Sequence, residues 1–420
     1  MRDETKCLHA GYTPKNGEPR VVPIVQSTTY VYDSTDEVAS VFDEPTKSLI
    51  YSRFANPTVM AVEEKIAALE GGVGAMCTSS GQAASLLSIL NLCNAGDSFL
   101  AAAEIYGGTV NLFTHTLKKL GIECIYIEKG MTDEEIDALF KPNTKAVFGE
   151  TIANPALTVL DIERYANIAH RHGVPLIVDN TFATPVLCKP FDFGADIVIH
   201  STTKYMDGHA VQGGGIIVDS GKFDWTNGNF PDFTEPDVTY HGISYTETYG
   251  KAAYIIKARM QLMRDFGAYP AAHSAFLLNL GLETLALRME RYCENALKVA
   301  KYFEQSDKIE SVTYPGLESD ENHALAKKYL KGSSGVISIV IKGGRDNAVK
   351  FMDSLKLASN EVHVADIRTC VLHPASETHR QLSDEQLVLA GIEPGMVRFS
   401  VGLENVDDII EDIEQALANI

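Results

Sequence analysis

Between residues 60 and 260, short apolar runs alternate with amphipathic stretches, and this alternation constrains the fold more than any other feature. SFLAAAE, IECIYIE, KAVFGE, PLIVDN, ADIVIHS and GGIIVD each have the length and composition of a buried strand. Helical stretches such as VNLFTHTLKKLG and DIERYANIAHRHG lie between several of them, and AVEEKIAALEGG ends in a glycine stop. Buried strands separated by helices favour an α/β fold with a mainly parallel sheet that is covered on both faces.

Changes in residue composition and hydrophobic pattern along the chain predict three regions. Residues 1–60 hold turn residues, short β-like pieces (VVPIVQSTTYVY) and few helix signals, so we expect an extended segment that contacts a neighbouring subunit. Residues 61–260 form the large domain, and residues 261–420 a smaller α/β domain with a long helical run followed by ESVTY, GVISIVI, NAVKFMDSL, MVRFSV and VDDIIEDIEQAL. Within the large domain, residues 220–255 form a long aromatic, Gly- and Pro-containing loop of a kind that is often functional.

Composition excludes several classes of partner. The formal net charge of -20 argues against a nucleic-acid surface and against docking on an anionic membrane. The polar start MRDETKCLHAGYTP predicts no secretory signal, and no apolar stretch approaches the roughly 20 residues of a membrane span. The seven cysteines are scattered without a CxxC pair and no HExxH pattern occurs, so we expect a cytoplasmic protein without a metal site.

The stretch TSSGQAAS precedes the predicted helix LLSILNLC. Small and hydroxyl residues at a helix start leave backbone N–H groups free, and the helix dipole there favours an anion. A phosphate would rest on Ser80, Gly81 and Gln82. The alternative is a plain N-cap formed by Ser79 or Ser80.

Asp179 and Lys204 follow two successive predicted strands. Asp179 closes PLIVDN, and Lys204 lies 25 residues later in HSTTKY, so one crossover brings both to the same rim of the sheet. A desolvated carboxylate suits a ring nitrogen that must stay protonated, and an amine of lowered pKa can bind an aldehyde cofactor covalently. Ser201 and Thr203 are placed to bind a phosphate. The alternatives are a turn-capping aspartate and an ordinary solvated lysine.

Arg398 in MVRFSVG completes a set of chemically complementary groups. An arginine flanked by strand residues can bind a carboxylate ligand with two hydrogen bonds, or it can form a structural ion pair. An anion cradle, an acid for a ring nitrogen, a lysine for an aldehyde and an arginine for a carboxylate together suit pyridoxal 5'-phosphate (PLP) acting on an amino acid.

These residues lie in motifs that resemble the trans-sulfuration (Cys/Met metabolism) family of PLP-dependent enzymes over nearly the whole chain. The matching motifs are YSRFANPT, TSSGQAA, EIYGGT, ETIANP, VDNTFATP, HSTTKY, HPASETHRQL and VRFSVGLE. The resemblance implies the fold type I architecture, in which a mainly parallel seven-stranded sheet domain carries a smaller C-terminal α/β domain. It also implies a tetramer built from two active dimers.

The resemblance assigns a role to each matching position. Lys204 is the lysine that binds the cofactor, Asp179 the partner of its ring nitrogen, and Ser80, Gly81, Gln82, Ser201 and Thr203 the phosphate ligands. Tyr51 and Arg53 reach the phosphate of a neighbouring subunit, and Tyr51 also borders the substrate. Tyr106 stacks on the cofactor ring and assists proton transfer, Asn154 lies near the ring hydroxyl, and Arg398 binds the substrate carboxylate.

Substrate preference is predicted from three further positions. The segment FPDFTEPDVTYHG resembles O-acetylhomoserine sulfhydrylases, and Gly108 stands where methionine γ-lyases tend to carry cysteine. In ASNEVHVADIRT, His363 falls near a usual Asn or Ser beside the substrate carboxylate, and Ala365 replaces a usual glycine.

We therefore expect a γ-replacement on O-acetyl-L-homoserine with sulfide or methanethiol, giving homocysteine or methionine. The alternative on the same scaffold is a methionine or cystathionine γ-lyase. A dinucleotide-dependent oxidoreductase is a third interpretation, although GGVG follows a helix and not a strand. A non-catalytic scaffold is the fourth.

Overall fold

The computed structural model describes residues 1–43, 49–378, 380 and 392–420. Within the motif HPASETHRQL, His379, Gln381 and Leu382 lie outside the described residues. Two β-sheets and the helices packed against them make up the described part of the chain.

The larger sheet contains the strands that the apolar runs predict. Its members are β1 (Gly74–Thr78), β2 (Ser98–Ala102), β3 (Glu123–Ile127), β4 (Thr144–Glu150), β5 (Leu176–Asp179), β6 (Ile197–His200) and β7 (Gly215–Asp219). They lie in the spatial order β1-β7-β6-β5-β4-β2-β3, and β7 alone runs antiparallel to its neighbours. The predicted mainly parallel, seven-stranded sheet is confirmed. The sequence pattern missed β1, because GAMCT has no β-branched residue before its final threonine.

Helices precede, connect and follow the strands of the larger sheet. They are α1 (Asp3–His9), α2 (Thr35–Asp43), α3 (Pro57–Glu70), α4 (Gly81–Leu90), α5 (Gly107–Asn111), α6 (Leu117–Lys119), α7 (Asp133–Asp137), α8 (Ile162–Arg171), α9 (Thr184–Leu187), α10 (Pro231–Thr234), α11 (Tyr245–Tyr249), α12 (Ala253–Lys257), α13 (Arg264–Phe266) and α14 (Ala272–Glu283). The predicted helix VNLFTHTLKKLG is interrupted, because a π-helical turn at Leu112–Thr116 separates α5 from α6.

Local capping explains where two of these helices begin and end. The Asn56 side chain accepts the N–H groups of Thr58 and Val59 at the start of α3, and Gly71 ends the helix at φ 84, where glycine is favoured. The Ser80 side chain accepts the N–H of Ala83 at the start of α4. Of the two serines considered as an N-cap, Ser80 is therefore the one that caps.

The N-terminal segment differs from the sequence prediction. It contains two helices, α1 and α2, and acidic residues occupy the first turn of each, where they stabilise the helix dipole. The β-like piece VVPIVQSTTYVY forms no strand among the described residues, and a single bridge joins Thr29 to Tyr51. The expectation of few helix signals missed the helical spacing of Val38, Val41 and Phe42 in α2, and both helices are shorter than a sequence pattern readily identifies.

The loop over residues 220–255 packs against the larger sheet. Phe233 of α10 and Tyr254 of α12 flank Trp225, whose ring stacks on Phe233 at 4.6 Å and on Tyr254 at 5.3 Å between centroids. All three side chains are buried in the larger core. Burial of these aromatic rings explains how so long a connection stays ordered.

The smaller sheet lies C-terminal to the larger one. It contains β8 (Ile309–Thr313), β9 (Val336–Ile341), β10 (Ser359–Asn360), β11 (Cys370–Leu372) and β12 (Met396–Ser400), in the spatial order β10-β11-β12-β9-β8. The helices α15 (Leu285–Glu304), α16 (His323–Tyr329), α17 (Gly344–Ser354) and α18 (Val406–Leu417) accompany it. β10 and β11 are two and three residues long and lie below the length that a sequence pattern reveals.

One long helix joins the two cores. The predicted helical run divides at Thr284 into α14 and α15. Met289 and Tyr292 in α15 belong to the core of the larger sheet, whereas Val299 and Phe303 belong to that of the smaller sheet. This shared helix fixes the smaller sheet relative to the larger one. None of the helices in the described residues combines the length and apolar character needed to cross a bilayer.

Candidate active site

Polar residues end three adjacent parallel strands of the larger sheet. Glu150 ends β4, Asp179 ends β5 and His200 ends β6. Carboxyl ends of parallel strands meet at one edge of a sheet, which is where ligands bind in α/β proteins. Lys204 lies four residues beyond His200, and Ser80 lies between β1 and α4 at the same edge.

A cavity of about 240 Å³ opens at this edge. Glu150, Thr181, Phe182 and Val364 contribute to its wall. The predicted site residues that line it are Ser80, Gly81, Gln82, Tyr106, Asn154, Asp179, Ser201, Thr203, Lys204 and Arg398.

The three other predicted residues lie outside this cavity. His363 lines an adjacent open groove, which it shares with Thr203. Tyr51 is 39% exposed, and Arg53 donates to the backbone carbonyl of Arg264 while its guanidinium lies 5.6 Å from the centroid of the Tyr51 ring. Within one chain, therefore, Tyr51 and Arg53 do not reach the site.

The Asp179 carboxylate accepts hydrogen bonds from Thr181 through one of its two oxygens. The backbone N–H of Thr181 donates to Oδ1 at 3.0 Å, and the Thr181 hydroxyl donates to the same oxygen. Burial raises the pKa of Asp179, whereas the hydrogen bonds from Thr181 and the nearby His200 lower it. Since both hydrogen bonds use Oδ1, Oδ2 remains for a cationic partner in the cavity.

Lys204 has an environment that favours its neutral amine. Burial, followed by the positive charge of Arg398, lowers the pKa of Lys204 to about 8. Its Nζ atom lies 3.4 Å from Nδ1 of His363, and burial together with Lys204 lowers the pKa of that imidazole. A lysine with a pKa near 8 has a much larger neutral fraction near physiological pH than a free lysine, and this fraction is the nucleophile for an aldehyde.

The N-terminus of α4 and the loop after β6 form a close-packed cradle. A Cβ atom on Gly81 would lie 2.6 Å from Cβ of Ser201, so only glycine fits there. The Ser80 side chain accepts the N–H of Ala83. The N–H groups of Gly81 and Gln82 lie in the first turn of α4, where N–H groups have no carbonyl acceptor within the helix. These N–H groups and the Ser201 and Thr203 hydroxyls suit a phosphate.

Arg398 is buried at 6% exposure and forms no ion pair with a carboxylate in the described part of the chain. Nη1 donates to Oδ1 of Asn154 at 3.2 Å, and Nη2 donates to the carbonyl of His363 at 2.9 Å. Its buried Nε has no hydrogen-bond partner among the described residues. Since a buried unpaired guanidinium is costly, this arrangement favours a carboxylate ligand over a structural ion pair.

Sequence reasoning missed Glu150 and Thr181. Both were within quoted motifs, ETIANP and VDNTFATP, and Glu150 closes its strand as Asp179 closes the next one. His200 and His209, which flank Lys204 in the sequence, have structural partners instead. Nε2 of His200 lies 2.6 Å from Oε1 of Glu70 in the core, and Nδ1 of His209 lies 2.7 Å from the carbonyl of Asp207.

These groups fit PLP. The cavity offers an amine for the aldehyde, a carboxylate for the ring nitrogen and a cradle for the phosphate, and it leaves a buried guanidinium unpaired for the carboxylate of an amino acid. The fold and the site together define a PLP-dependent enzyme of fold type I.

Comparison with known proteins places the chain more narrowly. Residues 4–418 match the model of the family described as Cys/Met metabolism PLP-dependent enzyme. The chain is 45% identical to an O-acetyl-L-homoserine sulfhydrylase of Leptospira meyeri, over 100% of this chain and 97% of that protein. It is 47% identical to a homocysteine synthase of Schizosaccharomyces pombe, over 99% and 97% of the two chains.

A solved structure agrees with this placement. A crystal structure from Campylobacter jejuni, described as an O-acetylhomoserine (thiol)-lyase with N'-pyridoxyl-lysine-5'-monophosphate, superposes with a TM-score of 0.95. The two sequences are 36% identical, and the match covers 100% of both chains. The protein therefore belongs to the Cys/Met metabolism family of PLP-dependent enzymes.

Proposed function

We propose that this enzyme catalyses γ-replacement on O-acetyl-L-homoserine, with sulfide or methanethiol as the acceptor. The Cγ–O bond breaks and releases acetate, and a Cγ–S bond forms to give homocysteine or methionine. The observation that carries this proposal is the cavity in which Lys204, Asp179 and Arg398 meet, with no carboxylate paired to Arg398 among the residues that the structure describes. The full-length similarity to O-acetyl-L-homoserine sulfhydrylases and homocysteine synthases supports the substrate.

Different residues of the cavity would bind different parts of the cofactor. Ser80, Gly81, Gln82, Ser201 and Thr203 would hold the phosphate, and Asp179 the ring nitrogen. Tyr106 would pack on the ring, Asn154 would lie near its hydroxyl, and Lys204 would bind its aldehyde. When bound, PLP supplies an electron sink for the bonds around Cα.

The side chains of the protein then act on the amino acid. Lys204, once its amine is free, would remove the proton from Cα and relay a proton at Cβ, and its lowered pKa increases the neutral fraction of the amine that can act as the base. Tyr106 would assist these transfers. Arg398 would bind the α-carboxylate and so orient Cα toward Nζ of Lys204.

His363 and Tyr51 would complete the substrate end of the site. The His363 carbonyl holds Nη2 of Arg398, and its imidazole faces Lys204. His363 therefore borders both the carboxylate site and the amine. We place Tyr51 there as a contribution of the neighbouring subunit.

A γ-lyase on the same scaffold is not favoured. Methionine γ-lyases tend to carry a cysteine where this chain has Gly108. A Cβ atom at Gly108 would lie 2.5 Å from Cε1 of Tyr106 and 3.0 Å from Nε2 of Gln82. Any side chain at position 108 would therefore displace the Tyr106 ring from its present position.

We propose the following organisation for the whole enzyme. Residues 1–60 contact the neighbouring subunit, residues 61–260 form the PLP-binding domain and residues 261–420 form the C-terminal domain. The enzyme would be a cytoplasmic homotetramer that serves methionine biosynthesis. The distance of Tyr51 and Arg53 from the cavity of their own chain supports a dimer as the smallest active unit.

Product analysis tests the proposed function. The holoenzyme is incubated with O-acetylhomoserine, O-succinylhomoserine, cystathionine or methionine, each with and without sulfide or methanethiol. We expect homocysteine or methionine plus acetate only from O-acetylhomoserine with a sulfur acceptor. Release of an α-keto acid and ammonia from methionine, at a comparable rate and without added thiol, would identify a lyase instead.

A further inference from the structure

Glu150 is a buried carboxyl group that touches several parts of the site. Its side chain lines the cavity, and the residue is 7% exposed. Oε1 accepts the backbone N–H of Tyr106 at 2.7 Å, and Oε2 accepts that of Asn154 at 3.3 Å. Asp179 lies directly opposite Glu150 in the register between β4 and β5.

The contact with Tyr106 fixes the side of that residue that the helix α5 leaves free. The Tyr106 carbonyl accepts the N–H groups of Thr109 and Val110, whereas its own N–H precedes the helix and donates to Glu150. The residue is 48% exposed, and its side chain lines the cavity. The hydrogen bond from its backbone N–H to Glu150 ties the start of α5 to the end of β4. A buried acceptor of this kind sets the direction from which the ring enters the cavity.

The contact with Asn154 extends the influence of Glu150 to Arg398. The Asn154 side chain accepts a hydrogen bond from Nη1 of Arg398, while its backbone N–H donates to Glu150. One carboxyl group therefore supports both the predicted ring-stacking residue and the residue that orients the guanidinium.

We propose that Glu150 is a positioning residue that fixes Tyr106 and Asn154 on the wall of the cavity through these two backbone hydrogen bonds. The inference rests on the proposed function only in taking PLP as the ligand of the cavity. It is independent of the identity of the amino-acid substrate.

The environment of Glu150 differs from that of a surface carboxyl group. Burial, and then the carboxylate of Asp179, raise the pKa of Glu150 well above its ordinary value, while the N–H groups of Tyr106 and Asn154 lower it. Burial also raises the pKa of Asp179, against the hydrogen bonds from Thr181. Each oxygen of Glu150 faces a backbone N–H donor, so its role as an acceptor follows from this geometry.

Two substitutions separate the positioning role from size and charge. Glu150→Gln has an uncharged side chain of nearly the same size. It keeps an oxygen that accepts the Tyr106 N–H and loses the longer hydrogen bond from the Asn154 N–H. Glu150→Ala loses both bonds. Asp219→Ala is the matched control, because Asp219 is another strand-end carboxylate, 1% exposed, which accepts the N–H of Gly221 and lies outside the cavity.

The test measures PLP binding to the cofactor-free protein without substrate, by absorbance titration, together with the circular dichroism of the bound cofactor and thermal unfolding. We expect Glu150→Ala to weaken PLP binding by about 10- to 100-fold, since two N–H groups lose their buried acceptor and the turns they hold must be ordered on binding. Glu150→Gln should stay within about fivefold of the wild type, since it loses only the longer hydrogen bond. The cofactor dichroism should change in Glu150→Ala, and Asp219→Ala should lower the unfolding temperature without changing PLP affinity.

Either of two results overturns the proposal. One is wild-type PLP affinity and dichroism in Glu150→Ala, and the other is a loss in Glu150→Gln equal to that in Glu150→Ala. If Glu150→Ala does not fold, Glu150→Asp takes its place, because its shorter side chain withdraws the acceptor from Tyr106 and keeps the carboxyl group. Unchanged affinity and dichroism in that variant would equally contradict the positioning role.

Discussion

Nδ1 of His363 lies 3.4 Å from Nζ of Lys204, while the backbone carbonyl of the same residue accepts a 2.9 Å hydrogen bond from Nη2 of Arg398. His363 thus contacts Lys204, the predicted base, through its side chain. Through its backbone it contacts Arg398, which is predicted to bind the substrate carboxylate. A side-chain substitution removes only the first of these contacts.

His363→Ala should therefore separate the two kinetic constants. We expect kcat for O-acetylhomoserine to fall about tenfold with KM within about threefold of the wild type, because Arg398 keeps its carbonyl partner. Arg398→Ala should instead raise KM by about 100-fold, through loss of a charge-assisted pair. Steady-state kinetics with saturating sulfide measure both. A rise in KM for His363→Ala that matches Arg398→Ala, with kcat unchanged, would place the imidazole in substrate binding.

The pKa of Lys204 predicts how fast cofactor-free protein takes up PLP. Only the neutral amine attacks the aldehyde, and a pKa lowered from 10.5 to about 8 means that the ammonium loses its proton at a lower pH than in a free lysine. The rate should rise with pH, reach half its maximum near pH 8 and then level off. Stopped-flow absorbance measures it, with Lys204→Ala as the blank. A rate that still climbs steeply above about pH 9.5 would indicate an ordinary solvated lysine.

Arg53 and Lys204 should complement each other across a subunit boundary. Arg53→Ala and Lys204→Ala should each be nearly inactive, whereas subunits mixed at random should recover about one quarter of wild-type activity. Half of the dimers are then mixed, and one of their two sites has both residues. Activity after joint refolding is compared with that of each variant refolded alone. Recovery no greater than the sum of the two would show that Arg53 does not serve a neighbour.

Replacing Ala365 with glycine should cost little stability. Its φ of 68 lies in the left-handed region, which costs an alanine about 1 kcal/mol or more relative to glycine. Ala365 is fully buried, so Ala365→Gly relieves this strain but loses a buried methyl group and frees the unfolded chain. We therefore expect the free energy of unfolding to change by less than about 1 kcal/mol, as denaturant unfolding measures. Ala416→Gly, inside α18 and equally buried, is the control and should lower the free energy of unfolding by about 1 to 2 kcal/mol, because it relieves no strain. Equal losses in both variants would contradict the strain at Ala365.

Local features were predictable because their causes are local. The apolar runs predicted six strands of the larger sheet, and AVEEKIAALEGG with its glycine stop predicted α3 apart from its first turn. Asp179 and Lys204 could be paired from sequence because they follow two successive strands that also lie side by side. The two N-terminal helices escaped notice, since α1 has seven residues and α2 nine, which is shorter than a periodic pattern needs to be distinctive.

The sequence by itself determined which side chains end the strands, and so which chemical groups the protein holds at one edge of its larger sheet. Only the tertiary structure decided which of those groups meet. Glu150 lies opposite Asp179 because β4 and β5 are neighbours in the sheet, and Arg398 and His363 reach Lys204 because α15 ties the smaller sheet to the larger one. Such contacts depend on strand order and on the packing of remote segments, which no local pattern of polar and apolar residues records.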